Sequence, residues 1–386
     1  MPPSRCRDSL SRPRSHGNGL YLAWEATSRD LFAPRAAGLG PGLPTLAAAQ
    51  VVGYLGYTGR RANAAATAAH DPLRKSQGRA HPARLASGNG REKGAQMQRA
   101  QELAIIRLAY AKQILAAAQV NDQRLEQAFA QVPREDFLGP GPWMIPRWFG
   151  DYLPTPTADP VYLYIDNVVQ IIAERQINNG QPSGHAKWIA SASIKPGEHI
   201  VHIGTGTGYY TAIMSHLAAP LGKVTGIELD TGLATRAKEN LSSYTNVRLV
   251  EGDGTTVQFG AADVIYVNAG VTRPADQWLD SLKEGGRLIL PLTTNEGFMG
   301  NDPAKVPSRG AMFRIERRGS EFLAQWISPV AIIPCESARD ETSEAALAEA
   351  FKKRGAWLLV TRLYRHDDVA QDRCWLRASG WCLAYE

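Results

Sequence analysis

The sequence predicts an α/β protein with a doubly wound, mostly parallel sheet. An apolar strand leads directly into a loop that holds Gly204, Gly206 and Gly208, and a helical segment follows the loop. A second strand ends at Glu228, and a third is followed by Asp253. The carboxyl ends of parallel strands meet at one edge of a sheet, so we expect these residues to line one crevice there. Helices between such strands cover both faces of the sheet.

The first 96 residues differ in composition from the rest of the chain. They hold 14 Lys and Arg residues and 5 Asp and Glu residues, of 43 and 37 in the whole chain, which leaves 29 and 32 for the remainder. The net charge of +6 therefore comes from this segment, and the remainder is mildly acidic. A mildly acidic domain gives no electrostatic reason to expect a nucleic-acid partner.

Three explanations of residues 1–96 remain open. The segment lacks periodic apolar positions, which is typical of a disordered tail. Its richness in Arg and Ser and its few acids are also found in transit peptides. We favour a start codon assigned too early, because Met97 immediately precedes an amphipathic helical pattern. We therefore divide the chain into a low-complexity basic segment, 1–96, and a folded domain, 97–386.

The four cysteines, Cys6, Cys335, Cys374 and Cys382, show neither C-x-x-C spacing nor the rhythm of a metal site. They predict free thiols in a reducing compartment such as the cytoplasm, with a Cys374–Cys382 cross-link as the alternative. No apolar run reaches the roughly 18 uncharged residues that a membrane helix needs, so we expect no membrane partner. The eight histidines form no H-E-x-x-H pattern, and we expect no metal.

The elements before the glycine loop follow from periodicity and helix breakers. Apolar residues at helical spacing predict an amphipathic helix over 100–118, and a second helix over 122–131 is ended by Val132-Pro133. The Pro- and Gly-rich stretch 139–160 predicts an irregular loop. Residues 161–177 are dense in Val, Ile and Tyr and predict an extended strand. A helix over 181–193 begins with Pro182 in its first turn.

After the glycine loop, helices and strands alternate. We expect helices over 209–218, 231–242 and 274–282, and strands that end at 228, 250, 267 and 292. An antiparallel pair over 311–316 and 322–329, a helix over 343–353 and strands over 357–363 and 375–383 complete the chain. We expect these C-terminal strands to extend the same sheet.

The spacing of the glycines selects the ligand. A dinucleotide site uses G-x-G-x-x-G, in which the last residue lets the helix pack closely on the strand. In this chain that frame falls on Tyr209, or on Thr211 if it starts at Gly206. The observed G-x-G-x-G pattern suits S-adenosylmethionine, which has no pyrophosphate. Another nucleotide and a purely structural turn are the alternatives.

The acids and amides at the strand ends are candidate cofactor ligands. Glu228 is placed to accept the ribose hydroxyls, the alternative being a solvated loop acid. Asp253 is expected on the adenine side, the alternative being a turn-forming Asp. Asn268 ends the fourth strand and faces the same crevice. The predicted cofactor-binding residues are Gly204, Thr205, Gly206, Gly208, Glu228, Asp253, Gly254 and Asn268.

Five segments together resemble the protein-L-isoaspartate O-methyltransferase family. They are Val-Pro-Arg-Glu-Asp-Phe at 132–137, Gly-Thr-Gly-Thr-Gly-Tyr at 204–209, Gly-Asp-Gly at 252–254, Asp-Val-Ile-Tyr-Val at 263–267 and Leu-Lys-Glu-Gly-Gly-Arg-Leu-Ile-Leu-Pro at 282–291. The resemblance covers about 125–292. It implies a Rossmann-like methyltransferase that uses S-adenosylmethionine to methylate the free carboxylate of isoaspartyl residues in damaged proteins, the first step of their repair.

Two positions depart from the family's pattern. Its active-site Ser aligns without gaps with Gly180, and a shifted alignment brings Ser183 near that position instead. The acid two residues before the glycine loop, which commonly helps to hold the cofactor's amino group, is His202. We expect His202 to be hydrogen-bonded locally.

The candidate catalytic residues are Ser183 and His185. Some relatives also have His at position 185, in the substrate-facing helix, the alternative being a histidine on the helix surface. For Ser183 the alternative is a hydroxyl that caps the helix start. If the ungapped alignment holds and Gly180 does not need a positive φ, Gly180→Ser should raise isoaspartyl methylation. Methylation of another carboxylate, in a modified peptide or a small molecule, and S-adenosylmethionine binding without catalysis remain open.

Overall fold

A computed structural model describes residues 88–146, 152–295 and 310–385. Its helices are α1 (Gly88–Ala118), α2 (Gln123–Gln131), α3 (Pro182–Ala192), α4 (Tyr209–Ala218), α5 (Thr231–Asn240), α6 (Asp276–Ser281) and α7 (Glu341–Lys352). Its strands are β1 (Met144–Pro146), β2 (Tyr152–Pro154), β3 (Gln170–Ile172), β4 (Ile177–Asn178), β5 (His199–Ile203), β6 (Lys223–Glu228), β7 (Val247–Glu251), β8 (Ala262–Val267), β9 (Leu282–Thr293), β10 (Gly310–Arg318), β11 (Glu321–Pro329), β12 (Val360–Tyr364), β13 (Cys374–Ala378) and β14 (Trp381–Tyr385).

Ten of these strands form one sheet in the order β13-β14-β12-β11-β10-β9-β8-β5-β6-β7. Neighbouring strands in the run β9-β8-β5-β6-β7 pair in parallel. The run β10-β11-β12-β14-β13 is antiparallel throughout and joins β9 through an antiparallel pair with β10. Alternation along β5 sends Ile200 into the apolar core on one face and Val201 into the core on the other. The predicted α/β fold is confirmed, and so is the extension of the sheet by the C-terminal strands.

The N-terminal helices pack on one face of the sheet. α1 buries Tyr110 and Ile114 against Leu125 and Phe129 of α2, and Asp122 caps α2 by accepting from two backbone amides. α1 begins at Gly88, so it spans the predicted domain boundary at 96/97. Residues 92–98 of this helix are exposed, and they add nothing to the core. The predictions for residues 1–87 lie outside the described residues.

The predicted strand over 161–177 is wrong. Asp159 accepts from the Val161 amide and Pro160 takes the first position of a 3-10 turn, Pro160–Leu163. Farther along, Gln176 at φ +54° reverses the chain between β3 and β4. Leu163 and Val169 are buried in a small separate cluster, so the apolar composition serves loop packing and no continuous strand is needed. The predicted loop over 139–160 also contains the short antiparallel pair β1–β2; residues 147–151 of that loop lie outside the described part.

The single strand predicted over 375–383 is also wrong, because the chain reverses within it. Gly380, at φ +78°, allows a tight turn that pairs Ala378 with Trp381, and the result is the hairpin β13–β14. The strand predicted over 357–363 begins as the 3-10 turn Ala356–Leu359 before β12.

The cysteines in the described ranges are free thiols, as predicted. Cys374 and Cys382 are buried with their Sγ atoms 3.1 Å apart, and burial raises the pKa of Cys382 to about 12. No helix within the described residues is long and apolar enough to cross a membrane. The same residues hold no group of three or more His, Cys, Asp or Glu side chains arranged to bind a metal ion.

Candidate active site

The glycine loop joins β5 to α4, and its three glycines all have positive φ, at +76°, +59° and +102°. A Cβ on Gly204 would lie 3.2 Å from the Asn268 carbonyl oxygen, and one on Gly208 would lie 2.9 Å from Leu241 Cδ1. A Cβ on Gly206 would meet nothing within 4 Å. The left-handed backbone explains why Gly recurs here, and the open side at Gly206 leaves room for a ligand.

Glu228 ends β6 beside this loop, where its side chain is 7 % exposed. Oε2 accepts a hydrogen bond from the Gly206 amide at 2.7 Å, and Oε1 accepts from the Asp230 amide at 3.1 Å. Burial raises the pKa of Glu228, while these amides oppose the shift. Each oxygen keeps a lone pair, so the carboxylate could also accept the two ribose hydroxyls of an adenosine group. The loop and this acid therefore fit S-adenosylmethionine.

The other predicted cofactor residues also lie at this edge of the sheet. Asn268 Nδ2 donates to the Gly204 carbonyl at 3.0 Å and so holds the loop. Asp253 Oδ1 accepts from the Thr255 amide at 2.8 Å, which is the turn-forming role. Thr205 Oγ1 lies 3.3 Å from two backbone carbonyls, and a Cβ on Gly254 would lie 2.4 Å from Ile203 Cγ2. Their contacts with a cofactor stay a prediction.

The space beside Gly180, where the ungapped alignment predicts the family's Ser, is occupied by the ring of His185. Gly180 has φ +75°, and a Cβ there would lie 2.2 Å from Nε2 of His185. His185, 1 % exposed, stacks on Tyr210 with ring centroids 3.6 Å apart, and its Nδ1 lies 2.8 Å from the Tyr266 hydroxyl. Burial and the nearby His202 and Arg134 lower the pKa of His185 well below 6.5. The imidazole is therefore neutral and points at Gly180.

Ser183 is held differently. It lies in the first turn of α3, half-buried, and its backbone amide donates to Asp166 Oδ1 at 2.9 Å. Asp166 thus caps the helix start, the role considered in the sequence for the Ser183 hydroxyl itself. The contact at Gly180 thus comes from His185 and not from Ser183.

His202 is buried in the core beneath the loop. Its Nδ1 lies 2.8 Å from Thr211 Oγ1, which confirms the expected local hydrogen bond. Its Nε2 is buried without a hydrogen-bond partner among the described residues. Burial lowers the pKa of His202 to about 3, so the ring is neutral at pH 7. The resemblance would place an acid at this position, and the structure has a neutral, buried imidazole there.

Comparison with known sequences gives the family of this fold and site. The family profile described as protein-L-isoaspartate(D-aspartate) O-methyltransferase matches residues 109–302, half of the chain. The chain belongs to this family. Its fold and glycine loop are those of an S-adenosylmethionine-dependent methyltransferase.

Three protein-L-isoaspartate O-methyltransferases illustrate the relationship. The chain is 32% identical to the protein from Koribacter versatilis over 46% of this chain and 72% of that protein. It is 27% identical to the one from Ignicoccus hospitalis over 58% of this chain and 93% of that protein. It is 32% identical to the one from Thermotoga maritima over 44% of this chain, and the match spans only half of that protein.

The isoaspartyl methyltransferase motif Val-Pro-Arg-Glu-Asp-Phe has a structural role that the sequence did not reveal. Arg134 is fully buried, and its guanidinium donates to the backbone carbonyls of Leu163, Ile165 and Asn167. This fork fixes the loop that presents Asp166 to α3. The motif itself is a signal in the sequence, because it is specific to the family. The carbonyls that Arg134 binds lie about 30 residues further along the chain, so its structural role could not be read from the motif.

Tyr210 and Tyr266 are further site residues that sequence reasoning missed. Tyr210 stacks on His185 and donates from its hydroxyl to the Gly180 carbonyl at 3.2 Å. The Tyr266 hydroxyl is hydrogen-bonded to Nδ1 of the same imidazole. Both tyrosines fall at core positions of regular elements. That pattern resembles ordinary packing, so only their contacts distinguish them.

We expect Glu228→Gln to raise the Kd for S-adenosylmethionine at least fivefold, about 1 kcal/mol. The variant loses a charged acceptor for the ribose and weakens the bond that shapes the loop at Gly206. Titration calorimetry measures this Kd. The exposed Glu251, at the end of the neighbouring strand, supplies the control Glu251→Gln, which should bind as the unaltered protein does. An unchanged Kd in Glu228→Gln would contradict the placement of the ribose.

Proposed function

We propose that this protein transfers a methyl group from S-adenosylmethionine to the free carboxylate of an isoaspartyl residue in a protein or peptide, with His185 holding that carboxylate. Family membership supports the reaction, and one observation supports the role of His185. Its Nε2 points at the place where the ungapped alignment puts the family's Ser hydroxyl. His185 would thus supply the hydrogen bond that Gly180 cannot.

The reaction requires the protein to align the two reactants and does not require a general base. When bound, S-adenosylmethionine supplies an electrophilic methyl group on a positively charged sulfur. A carboxylate oxygen forms the new bond to that carbon while the carbon–sulfur bond breaks and its electron pair stays on sulfur. The acceptor is already ionised at pH 7, so no proton moves. Correct orientation of two reactants is worth about 7–11 kcal/mol in well-oriented systems.

His185 is prepared to donate a hydrogen bond if Tyr266 fixes its tautomer. Burial raises the pKa of the Tyr266 hydroxyl well above 10, so it keeps its proton and can donate to Nδ1 of His185. The neutral ring then carries its proton on Nε2. That N–H points toward Gly180, and in this proposal it holds one oxygen of the acceptor there.

Protein repair and a cytoplasmic location belong to this proposal. A methyl ester is attacked by a neighbouring backbone amide nitrogen far more readily than a free carboxylate, because methoxide can leave as the new carbon–nitrogen bond forms. Methylation can therefore begin repair. The free thiols in the described ranges support a reducing compartment. The partner is then a damaged protein or peptide that carries the free carboxylate.

Methylation of a different carboxylate is the second candidate, because an imidazole lies where the ungapped alignment would put the family's hydroxyl. An assay with labelled S-adenosylmethionine separates the two. We expect an isoaspartyl peptide to be labelled and its aspartyl twin to remain unlabelled. Ser183→Ala should leave the rate within about twofold, because the contact at Gly180 comes from His185. Absence of isoaspartyl labelling by a protein that binds the cofactor would favour a different acceptor.

A further inference from the structure

We propose that residues 332–339, here called the strap, position the loops that bind the cofactor, with Ser337 orienting Asp253 and the Arg175–Glu336 ion pair holding Asp230. The strap lies beyond residue 302, where the match to the family profile ends. The inference rests on the cofactor site placed above at the glycine loop and Glu228.

The strap is bonded to the loop that follows β8. The Gly270 amide donates to the Ile333 carbonyl at 2.7 Å, and the Cys335 amide donates back to the Gly270 carbonyl at 2.8 Å. Arg339 donates to the same Gly270 carbonyl at 2.8 Å. Gly270 comes two residues after Asn268, which holds the glycine loop. These bonds fix the strap at the carboxyl edge of the parallel strands.

From there the strap reaches the loop after β7 through Ser337. Ser337 Oγ donates to Asp253 Oδ1 at 2.7 Å, the same oxygen that accepts from the Thr255 amide and hydroxyl. Three donors on Oδ1 fix the rotation of the carboxylate, and none of the three bonds uses Oδ2. Ser337 is therefore a positioning residue that acts through Asp253.

Arg175 connects the strap to the loop after β6. Arg175, from the turn between β3 and β4, forms ion pairs with Asp230 and, at 3.1 Å, with Glu336 of the strap. The Asp230 amide donates to Glu228 Oε1, so these ion pairs lie next to the carboxylate that is predicted to bind the ribose. Arg175 is a surface residue, its side chain 45 % exposed, and such pairs contribute little to overall stability. Its effect is expected on the geometry of the site.

The positional argument joins these contacts. In an open α/β sheet the ligand lies against the loops at the carboxyl ends of the strands. The strap and Arg175 together contact the loops after β6, β7 and β8, all three of which carry predicted cofactor residues or adjoin them. A chain segment with this set of contacts forms part of the wall of that site.

Calorimetric Kd values for S-adenosylmethionine and S-adenosylhomocysteine, with the Tm of the cofactor-free protein, test the proposal. We expect Ser337→Ala to raise both Kd values about fivefold, less than the loss of a direct hydrogen bond to a charged group would give, because Ser337 acts through Asp253. Ser337→Thr keeps the hydroxyl and should restore them to within about twofold. The Tm of the cofactor-free protein should stay nearly constant, which separates positioning from a general structural role.

The ion pair is tested with Arg175→Met, for which we expect a Kd about threefold higher at low salt and a difference that shrinks at 1 M salt through screening. Lys352→Met, which removes an exposed pair on α7, is the control and should change no Kd. Unchanged Kd values in both Ser337→Ala and Arg175→Met, while Glu228→Gln weakens binding, would overturn the role of the strap alone. Unchanged binding in Glu228→Gln as well would overturn the cofactor placement on which it rests.

Discussion

His185→Phe is expected to lower kcat/KM for an isoaspartyl peptide by about 10- to 100-fold while the Kd for S-adenosylmethionine stays within about twofold. Phenylalanine keeps a ring that can stack on Tyr210, but it has no N–H at the position beside Gly180. A hydrogen bond to a charged group is worth about 1.5–3 kcal/mol, which corresponds to that range in rate. Steady-state methyl transfer and calorimetry on the same preparation measure both quantities.

The pH dependence gives a second, independent reading of His185. Because its pKa in the folded protein lies well below 6.5, the activity should show no titration step of this group between pH 6 and 8. In the unfolded chain the imidazole takes up a proton near pH 6.5, so the free energy of unfolding should fall as pH drops below that value. His185→Phe should lose this part of the acid sensitivity. A step in activity near pH 6.5 that disappears in the variant would contradict the neutral-donor role.

The parallel half of the sheet could be predicted from the sequence because its signals are local. The sequence predicts the helix Tyr209–Ala218 and the strand Ala262–Val267 with the bounds that the structure has, since a glycine loop and an apolar run mark their ends. The carboxyl-edge position of Glu228 follows from parallel strand order alone. In these elements propensity, breakers and packing all favour the same structure.

The remaining features depend on contacts between distant residues. Apolar composition over 161–177 predicts a strand equally well whether its side chains fill a sheet or a loop cluster, and the structure has the loop. The role of Arg134 depends on carbonyls about 30 residues away. The relation between Gly180 and His185 requires both the left-handed backbone of one and the rotamer of the other. No spacing rule encodes that pair.

Taken together, these contacts make Gly180 and His185 one unit. The missing side chain at position 180 leaves room for the imidazole, which stacks on Tyr210 and is hydrogen-bonded to Tyr266, and this is the position where we propose that it meets the acceptor. A Ser at position 180 with His185 in place would require both groups to occupy the same volume. Gly180 also has a positive φ, +75°. The alignment predicts a gain from Gly180→Ser only if no positive φ is needed there, so that prediction does not hold.

Gly180→Ser is accordingly expected to lower both stability and isoaspartyl methylation, in contrast to the gain anticipated from the alignment. A Cβ at φ +75° costs about 1–2 kcal/mol, and displacing the buried imidazole costs about 1–3 kcal/mol more. The loss of the oriented Nε2–H should reduce kcat/KM about tenfold or more. Denaturant unfolding and the labelled-methyl assay measure the two effects.

Gly197→Ser separates backbone strain from the clash, because Gly197 also has positive φ, at +87°, but a Cβ there would meet nothing within 4 Å. The free energy of unfolding of this variant should fall by only about 1–2 kcal/mol, the cost of the strained backbone. Its activity should be unchanged. In the double variant Gly180→Ser/His185→Ala the imidazole is gone, so the added side chain no longer collides with it. The two changes should therefore be less harmful together than the sum of their separate effects, with a coupling of about 1 kcal/mol or more. Strict additivity in this cycle would contradict the contact between position 180 and His185, and higher activity in Gly180→Ser alone would contradict the proposed role of His185.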